Sequence, residues 1–410
     1  MDPNDPRDDG AARPLAALTE LLRRTHLAPP DLLPSAVDDA VVNLRARATI
    51  YLADYSHTVL VPMPTTGAAP LPVLPIDTTL AGLAYRTTST QTTATSPEPH
   101  LWMPIIDGLE RLGVLKIVPA DAGDLEDPVF LVRCWWFTHY LGHLVSVVDA
   151  FGDGIDVIRR QLRRSLSAEL IWQLLPPLTS GTDKVVVSGR LEPSATVGGD
   201  VFDYALSDDT AQFAILDATG HDLRSGLAAA TALAAYRNSR RQGHGLFEQT
   251  ESIHRAVRDE FGGHMYATGV LGRLDLRSGV LRYLSAGHPP PLLLRGGKVV
   301  KSLAQGHRPL LGLDMRSASV AEEALEPDDV VVLYTDGIIE ARDEEQQFFG
   351  IDRLVDFLER EAAASTPLPE IARRVCRRMM EYQNGVLQDD ATILLVQWTT
   401  TGQHLLDPVR

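Results

Sequence analysis

The spacing of apolar positions changes period along the chain, and each period predicts a different element. Leu15, Leu18 and Leu22 recur at three- and four-residue steps, as one helix face requires. Residues 48–52 and 58–62 read as two strands around the turn Ala53-Asp54-Tyr55-Ser56-His57. Residues 80–85 form a short helix behind the capping candidates Asp77, Thr78 and Thr79. The Gly/Pro-rich run 66–75 and the Ser/Thr-dense run 87–99 read as exposed loops. Residues 101–108 and 111–118 make an apolar hairpin, and a long helix follows from Asp127. Its most apolar run, 129–148, contains Arg133, His139 and His143, so it predicts a buried amphipathic helix rather than a membrane span.

Helical period then continues through residues 153–175. Ile155, Ile158, Leu162, Leu166, Leu170 and Leu174 share one face, Arg159, Arg160, Arg163 and Arg164 the other, and Pro176-Pro177 ends the run. Such a helix either lies on its own domain or pairs with a second chain as a coiled coil of about three heptads. Farther on, the Ala-rich segment 223–241 predicts a helix bounded by Gly243 and Gly245, and 252–261 a second. Residues 268–276 and 280–285 form a hairpin over Arg277-Ser278-Gly279, and 291–294 pairs with 298–303 over Gly296-Gly297. Residues 351–361 and 368–382 are two more amphipathic helices. Strand pairs plus helix pairs suit a two-sheet sandwich flanked by helices.

Four aspartates stand at the ends of predicted strands in this second half. Asp200, after Val197-Gly198-Gly199, opens the strand 201–206; the strand 211–216 runs back and ends at Asp217. The start of one hairpin strand and the end of the next lie at the same edge. Strand 330–335 likewise delivers Asp336, and Asp389 stands just before strand 391–398. If those two strands are antiparallel neighbours, four carboxylates converge on one rim. Each corner alone is an ordinary turn, but four with matching polarity repel one another strongly and need cations. Hard oxygen ligands suit Mg²⁺ or Mn²⁺, so the chain reads as a two-metal hydrolase. Asp390 is adjacent to Asp389 and equally eligible.

These words resemble the PPM-type metal-dependent protein phosphatases, in the branch typified by the sporulation stage II E phosphatase and the RsbU stress-response regulators. The resemblance runs from about residue 184 to 399. It is carried in order by Val197-Gly198-Gly199-Asp200, Asp217-Ala218-Thr219-Gly220-His221, Ala286-Gly287-His288-Pro289-Pro290-Pro291, Leu333-Tyr334-Thr335-Asp336-Gly337-Ile338-Ile339-Glu340-Ala341 and Asp389-Asp390-Ala391-Thr392. It implies an α/β/β/α sandwich with a centre of two Mn²⁺ or Mg²⁺ ions. Asp217 is then the bridging ligand, the Ala218 carbonyl completes one metal, Asp336 and Asp389 (or Asp390) hold the second, and Asp200 ligates directly or through water. His221 has the chemistry of a general acid, although its spacing favours a structural role. Arg190, ten positions before Asp200, is the nearest arginine ahead of it, and His288 is expected to fix a turn. The implied activity is that of a phosphoserine/phosphothreonine protein phosphatase acting on a partner-switching substrate, commonly a phosphorylated STAS-domain anti-sigma-factor antagonist. Two alternatives are a non-catalytic partner-binding regulator with the same fold and a small-molecule phosphoesterase.

Residues 14–148 resemble a GAF sensory domain, most tellingly at Leu80-Ala81-Gly82-Leu83-Ala84-Tyr85 and Met103-Pro104-Ile105-Ile106-Asp107-Gly108-Leu109-Glu110-Arg111-Leu112-Gly113-Val114-Leu115. This implies a small-molecule or protein signal without naming it. Cys134, Trp135 and Trp136 have the chemistry to line a pocket, but on a helix with apolar neighbours they read rather as core, and His139 with His143 as a structural or exposed pair. The expected organisation is an α+β chain: a disordered tail at 1–12, a GAF-like α/β sensor at 13–150, an amphipathic linker helix at 151–180, a PPM-type domain at 181–400 and a tail at 401–410. A homodimer through the linker helix is one expectation.

Composition narrows the partners. A chain of 410 residues with 44% hydrophobic content suggests two folded domains. The net charge of −16 disfavours nucleic acid and anionic membranes. Two cysteines, Cys134 and Cys376, fall in different domains, so no disulfide framework is expected and a reducing cytoplasm fits. The N-terminal Met1-Asp2-Pro3-Asn4-Asp5-Pro6 lacks the basic and apolar regions of a signal peptide.

Overall fold

The computed structural model describes residues 9–26, 28–65, 67, 69–94, 98–162, 164–192, 198–220, 222–313, 318–385 and 387–399. The chain divides into two compact units, parted between Leu162 and Arg163.

The N-terminal unit contains, in order, α1 (Asp9–Thr25), α2 (Leu33–Val41), β1 (Ala46–Ala53), β2 (Val59–Pro62), β3 (Leu74–Pro75), α3 (Leu80–Thr87), β4 (Gln91–Thr93), β5 (His100–Asp107), β6 (Glu110–Pro119), α4 (Pro128–Asp149) and α5 (Asp153–Arg159). Its strands form one antiparallel sheet in the order β3-β2-β1-β6-β5-β4. Both faces are covered, which explains the nearly unbroken apolar runs of the central strands. Ile50 and Leu52 of β1 pack with α1, α2 and α4, whereas Tyr51 and Ala53 pack under α3 with Tyr85 and Trp102. Caps set the helix starts: Thr79 accepts from the Gly82 amide at 3.0 Å, and Asp127 from Val129 at 3.0 Å.

Three expectations change here. The helix α1 already runs from Asp9, so only residues 1–8 of the expected tail lie outside the described residues, as does the tail 401–410. The expected loop 87–99 contains β4, which pairs with β5. The linker is not one helix. The first part, α5, ends where Arg160 turns extended (ψ 93°). Its Arg159 is buried, donating from Nε to the Ala53 carbonyl at 3.0 Å and stacking over Tyr55. A second helix starts only where Ser165 caps the Ala168 amide at 3.0 Å. Leu162 and Leu166, central to the expected seam, are each 69% exposed.

The C-terminal unit contains α6 (Leu166–Leu174), β7 (Thr179–Gly181), β8 (Val185–Glu192), β9 (Asp200–Leu206), β10 (Thr210–Ala218), α7 (Leu223–Arg241), α8 (Leu246–Phe261), β11 (Ala267–Asp275), β12 (Val280–Ala286), β13 (Leu292–Arg295), β14 (Lys298–Ser302), β15 (His307–Arg308), β16 (Ala321–Ala324), β17 (Val330–Tyr334), α9 (Asp336–Ile339), α10 (Gly350–Ala363), α11 (Leu368–Tyr382) and β18 (Ala391–Trp398). One sheet has the order β15-β12-β11-β10-β9, with β16 also on β12; the other has β14-β13-β17-β18-β8-β7. The helices α7 and α8 cover the first sheet, α10 and α11 the second. Phe202, Phe213 and Leu271 from the first meet Val185, Val187, Leu333, Leu394 and Val396 from the second in one core. The layers are therefore helix, sheet, sheet, helix. The segment α6 packs on α7, where Arg237 Nη2 donates to both the Leu174 carbonyl and Asp203 Oδ1 at 2.7 Å.

Candidate metal centre

The four aspartates arrive from two sheets, two from each. The hairpin β9–β10 sets Asp200 directly opposite Asp217. In the other sheet β17 and β18 are antiparallel neighbours, with Tyr334 opposite Ile393. Asp336 therefore leaves β17 at the end where Asp389 and Asp390 lead into β18. The two pairs meet: the Asp217 carboxyl is acted on by Asp336, Asp389 and Asp390, and that of Asp200 by Asp217 and Asp390.

The adjacent acids differ in what they touch. Asp390 is buried, and its Oδ2 accepts from the amides of Gly199 at 2.8 Å and Asp200 at 3.4 Å. Asp389 is exposed, and its Oδ1 accepts from the Asp390 amide at 2.9 Å. Asp200 is buried, with Oδ2 accepting from the hydroxyls of Thr335 at 2.7 Å and Thr392 at 2.6 Å. The Ser225 hydroxyl lies 3.0 Å from both the Ala218 and Gly220 carbonyls. Two glycines permit this crowding. A Cβ on Gly199 would stand 2.5 Å from the Ala218 oxygen, and one on Gly337 1.8 Å from the Asp390 oxygen.

Burial, then repulsion, dominates the electrostatics. Burial followed by the charges of Asp217 and Asp390 holds the Asp200 carboxyl well above the usual range. Burial followed by Asp336, Asp389 and Asp390 pushes Asp217 up to about 7. An all-oxygen set in which neighbouring carboxylates hold Asp200 and Asp217 up fits a hard divalent cation, which would offset that repulsion. Among the described residues no three His, Cys, Asp or Glu side chains stand close enough around one point to hold an ion as they lie. Asp200 and Asp390 each commit one oxygen to hydrogen bonds instead.

Residues 207–399 match the family described as Stage II sporulation protein E (SpoIIE). The C-terminal unit carries a SpoIIE-type domain. The match takes in Asp217, Asp336 and Asp389 and begins after Asp200. Protein IcfG of Synechocystis sp. is 25% identical over 278 residues, covering 60% of this chain and 42% of IcfG. The chain thus spans less than half the length of that curated relative. Two solved structures are similar, each with 25% identity and a TM-score of 0.47. The RsbU and RsbW domains of Rv1364c from Mycobacterium tuberculosis are matched over 53% of this chain and 62% of theirs. The SiaA-PP2C domain of Pseudomonas aeruginosa is matched over 52% of this chain and 85% of its own.

Other residues singled out in the sequence fall in varied places. His221, in the loop before α7 of the SpoIIE-type domain, lies outside the described residues. Arg190 is buried in β8 and donates from Nε to Glu192 at 2.7 Å, so its guanidinium is engaged within its own strand. His288 is buried between two hydrogen-bond partners, Thr268 and Tyr334, and burial holds its pKa down at about 4. In the N-terminal unit Cys134 is fully buried, with its thiol pushed up to about 12. Trp136 is 54% exposed and, with Leu18, Val129 and Val132, lines a cleft of about 470 Å³. His139 stacks on Trp135 with centroids 4.8 Å apart. His143 Nδ1 lies 3.4 Å from Asp107, a partner 36 residues away that spacing along the chain does not reveal. The threonines holding Asp200 were also missed, although Thr335 and Thr392 sit inside the very words that carry Asp336 and Asp389.

Proposed function

We propose that this protein is a metal-dependent phosphoserine/phosphothreonine protein phosphatase, with the N-terminal unit as its GAF-like sensor. The observation that carries the reading is that the strand ends of both sheets bring Asp200, Asp217, Asp336 and Asp389 to one rim, where the charges of Asp336 and Asp389 act on Asp217. Asp217, the Ala218 carbonyl, Asp336 and Asp389 would hold two Mn²⁺ or Mg²⁺ ions, with Asp200 as a direct or water-mediated ligand. When bound, such ions lower the pKa of water and neutralise phosphoryl oxygens. The chain's own residues set the frame. Thr335 and Thr392 orient Asp200, and Ser225 lies against the Ala218 carbonyl. Asp390, bonded to the Gly199 amide through one oxygen, ties the turn before β9 to the start of β18, and Asp389 or Asp390 would be the ligand from this strand.

The family points to a partner-switching substrate, a phosphorylated STAS-domain anti-sigma-factor antagonist. The first prediction follows. Phosphate release from such a phosphoprotein should require Mn²⁺ or Mg²⁺, disappear in EDTA and return with added Mn²⁺. Hydrolysis of p-nitrophenyl phosphate that the phosphoprotein does not compete with would indicate a small-molecule phosphoesterase. Full turnover in a metal-free preparation would sink the two-metal reading.

A further inference from the structure

His288 follows Gly287, whose φ of +62° turns the chain sharply after β12. Its own carbonyl accepts from the Ser285 hydroxyl at 2.9 Å, which fixes the backbone behind the ring. The ring then reaches both sheets. Its Nε2 lies 3.1 Å from the Tyr334 carbonyl, at the last residue of β17. A carbonyl only accepts, so Nε2 carries the proton. Nδ1 is left as an acceptor, 2.8 Å from the Thr268 hydroxyl on β11. Thr268 stands opposite Asp217 in the β10–β11 ladder. Tyr334 precedes Thr335, which bonds Asp200, and Asp336, which opens α9. One buried ring thus links the strand beside Asp217 to the strand end that delivers Asp336.

We propose that His288 is a positioning residue for the metal centre: a strut that fixes the separation of the two sheets where the carboxylates meet. Both ring nitrogens are engaged with neutral partners, so the ring acts through geometry. A ring of this length spans the gap with a donor at one end and an acceptor at the other. Alanine leaves the Tyr334 carbonyl and the Thr268 hydroxyl without their partner, and the end of β17 is then free to shift relative to β10. Outer groups that orient metal ligands typically change metal affinity by about 10–100-fold when removed.

The inference rests on the metal-centre reading, and calorimetric titration of the full chain with Mn²⁺ separates the two. His288→Ala should weaken Mn²⁺ binding by roughly 10–100-fold. His288→Gln should recover most of that loss, because its amide restores a donor toward Tyr334. Asp217→Asn serves as the control and should lose one binding event. If Asp217→Asn loses binding while His288→Ala titrates like wild type, the strut is overturned and the centre stands. If Asp217→Asn itself binds like wild type, the centre was misplaced and the strut falls with it. Should His288→Ala fail to fold, Thr268→Val decides: weaker Mn²⁺ binding in a folded variant supports the strut, and unchanged binding overturns it.

Discussion

Asp217 is partly buried among like charges, and desolvation followed by Asp336, Asp389 and Asp390 presses its carboxyl up to about 7. A carboxylate in that position gains more from a divalent cation than from any other neighbour, because the ion converts every repulsion into shared coordination. Asp217→Asn and Asp336→Asn should therefore each lower turnover by at least about two orders of magnitude, since each removes a charge that assembles the hydrolytic centre. Both variants should stay folded, because each relieves repulsion between carboxylates. Near-wild-type turnover in either, with metal loading confirmed, would relocate the site. The aspartates were legible in the sequence because each lies in a short word at a strand end, where identity and position are both local. Their supports were not. Thr335 bonds the amide of Thr392, 57 residues on, and His288 reaches Tyr334 across 46 residues. Such partners exist only once β17, β18 and β12 have been placed, and no periodicity reports that.

Elements were legible to the extent that local pattern and packing agree. The predicted helix over 223–241 has the bounds of α7, with Asp222 accepting from the Arg224 amide at 2.9 Å as its cap. The hairpins expected around Gly279 and Gly296-Gly297 are β11–β12 and β13–β14. The linker shows where this fails. Its Ile/Leu spacing fixes which side chains would share a face, but not whether the backbone runs on between them. Docking of Arg159 against Ala53 and Tyr55, and a fresh cap at Ser165, favour two short helices over one long one. Leu162 and Leu166 are left 69% exposed. Replacing both with Glu should change stability by no more than about 0.5 kcal/mol per site, as for other exposed positions, and should leave the sedimentation behaviour unaltered. A large loss of stability, or a dimer split by the double variant, would restore the coiled-coil seam.

Across the whole molecule, the described residues build separate cores. The N-terminal unit packs its helices on two faces of one sheet, and the C-terminal unit closes its core between two sheets. The candidate ligands all belong to the second unit. A cation that binds only one folded unit stabilises that unit alone, by about 2.7 kcal/mol at a free concentration 100 times Kd. For a unit of roughly 200 residues this corresponds to a rise in Tm on the order of 5–10 °C. Calorimetry of the full chain in EDTA should show two transitions, and Mn²⁺ should raise only one of them. Asp217→Asn should abolish that rise and leave the other transition where it was. A single transition that moves as a whole with Mn²⁺ would mean that the two units unfold as one cooperative body, and the separate cores would not be separate in energy. Two transitions, neither moved by Mn²⁺, would remove the ion from the folded protein altogether and with it the chemistry assigned to the four aspartates.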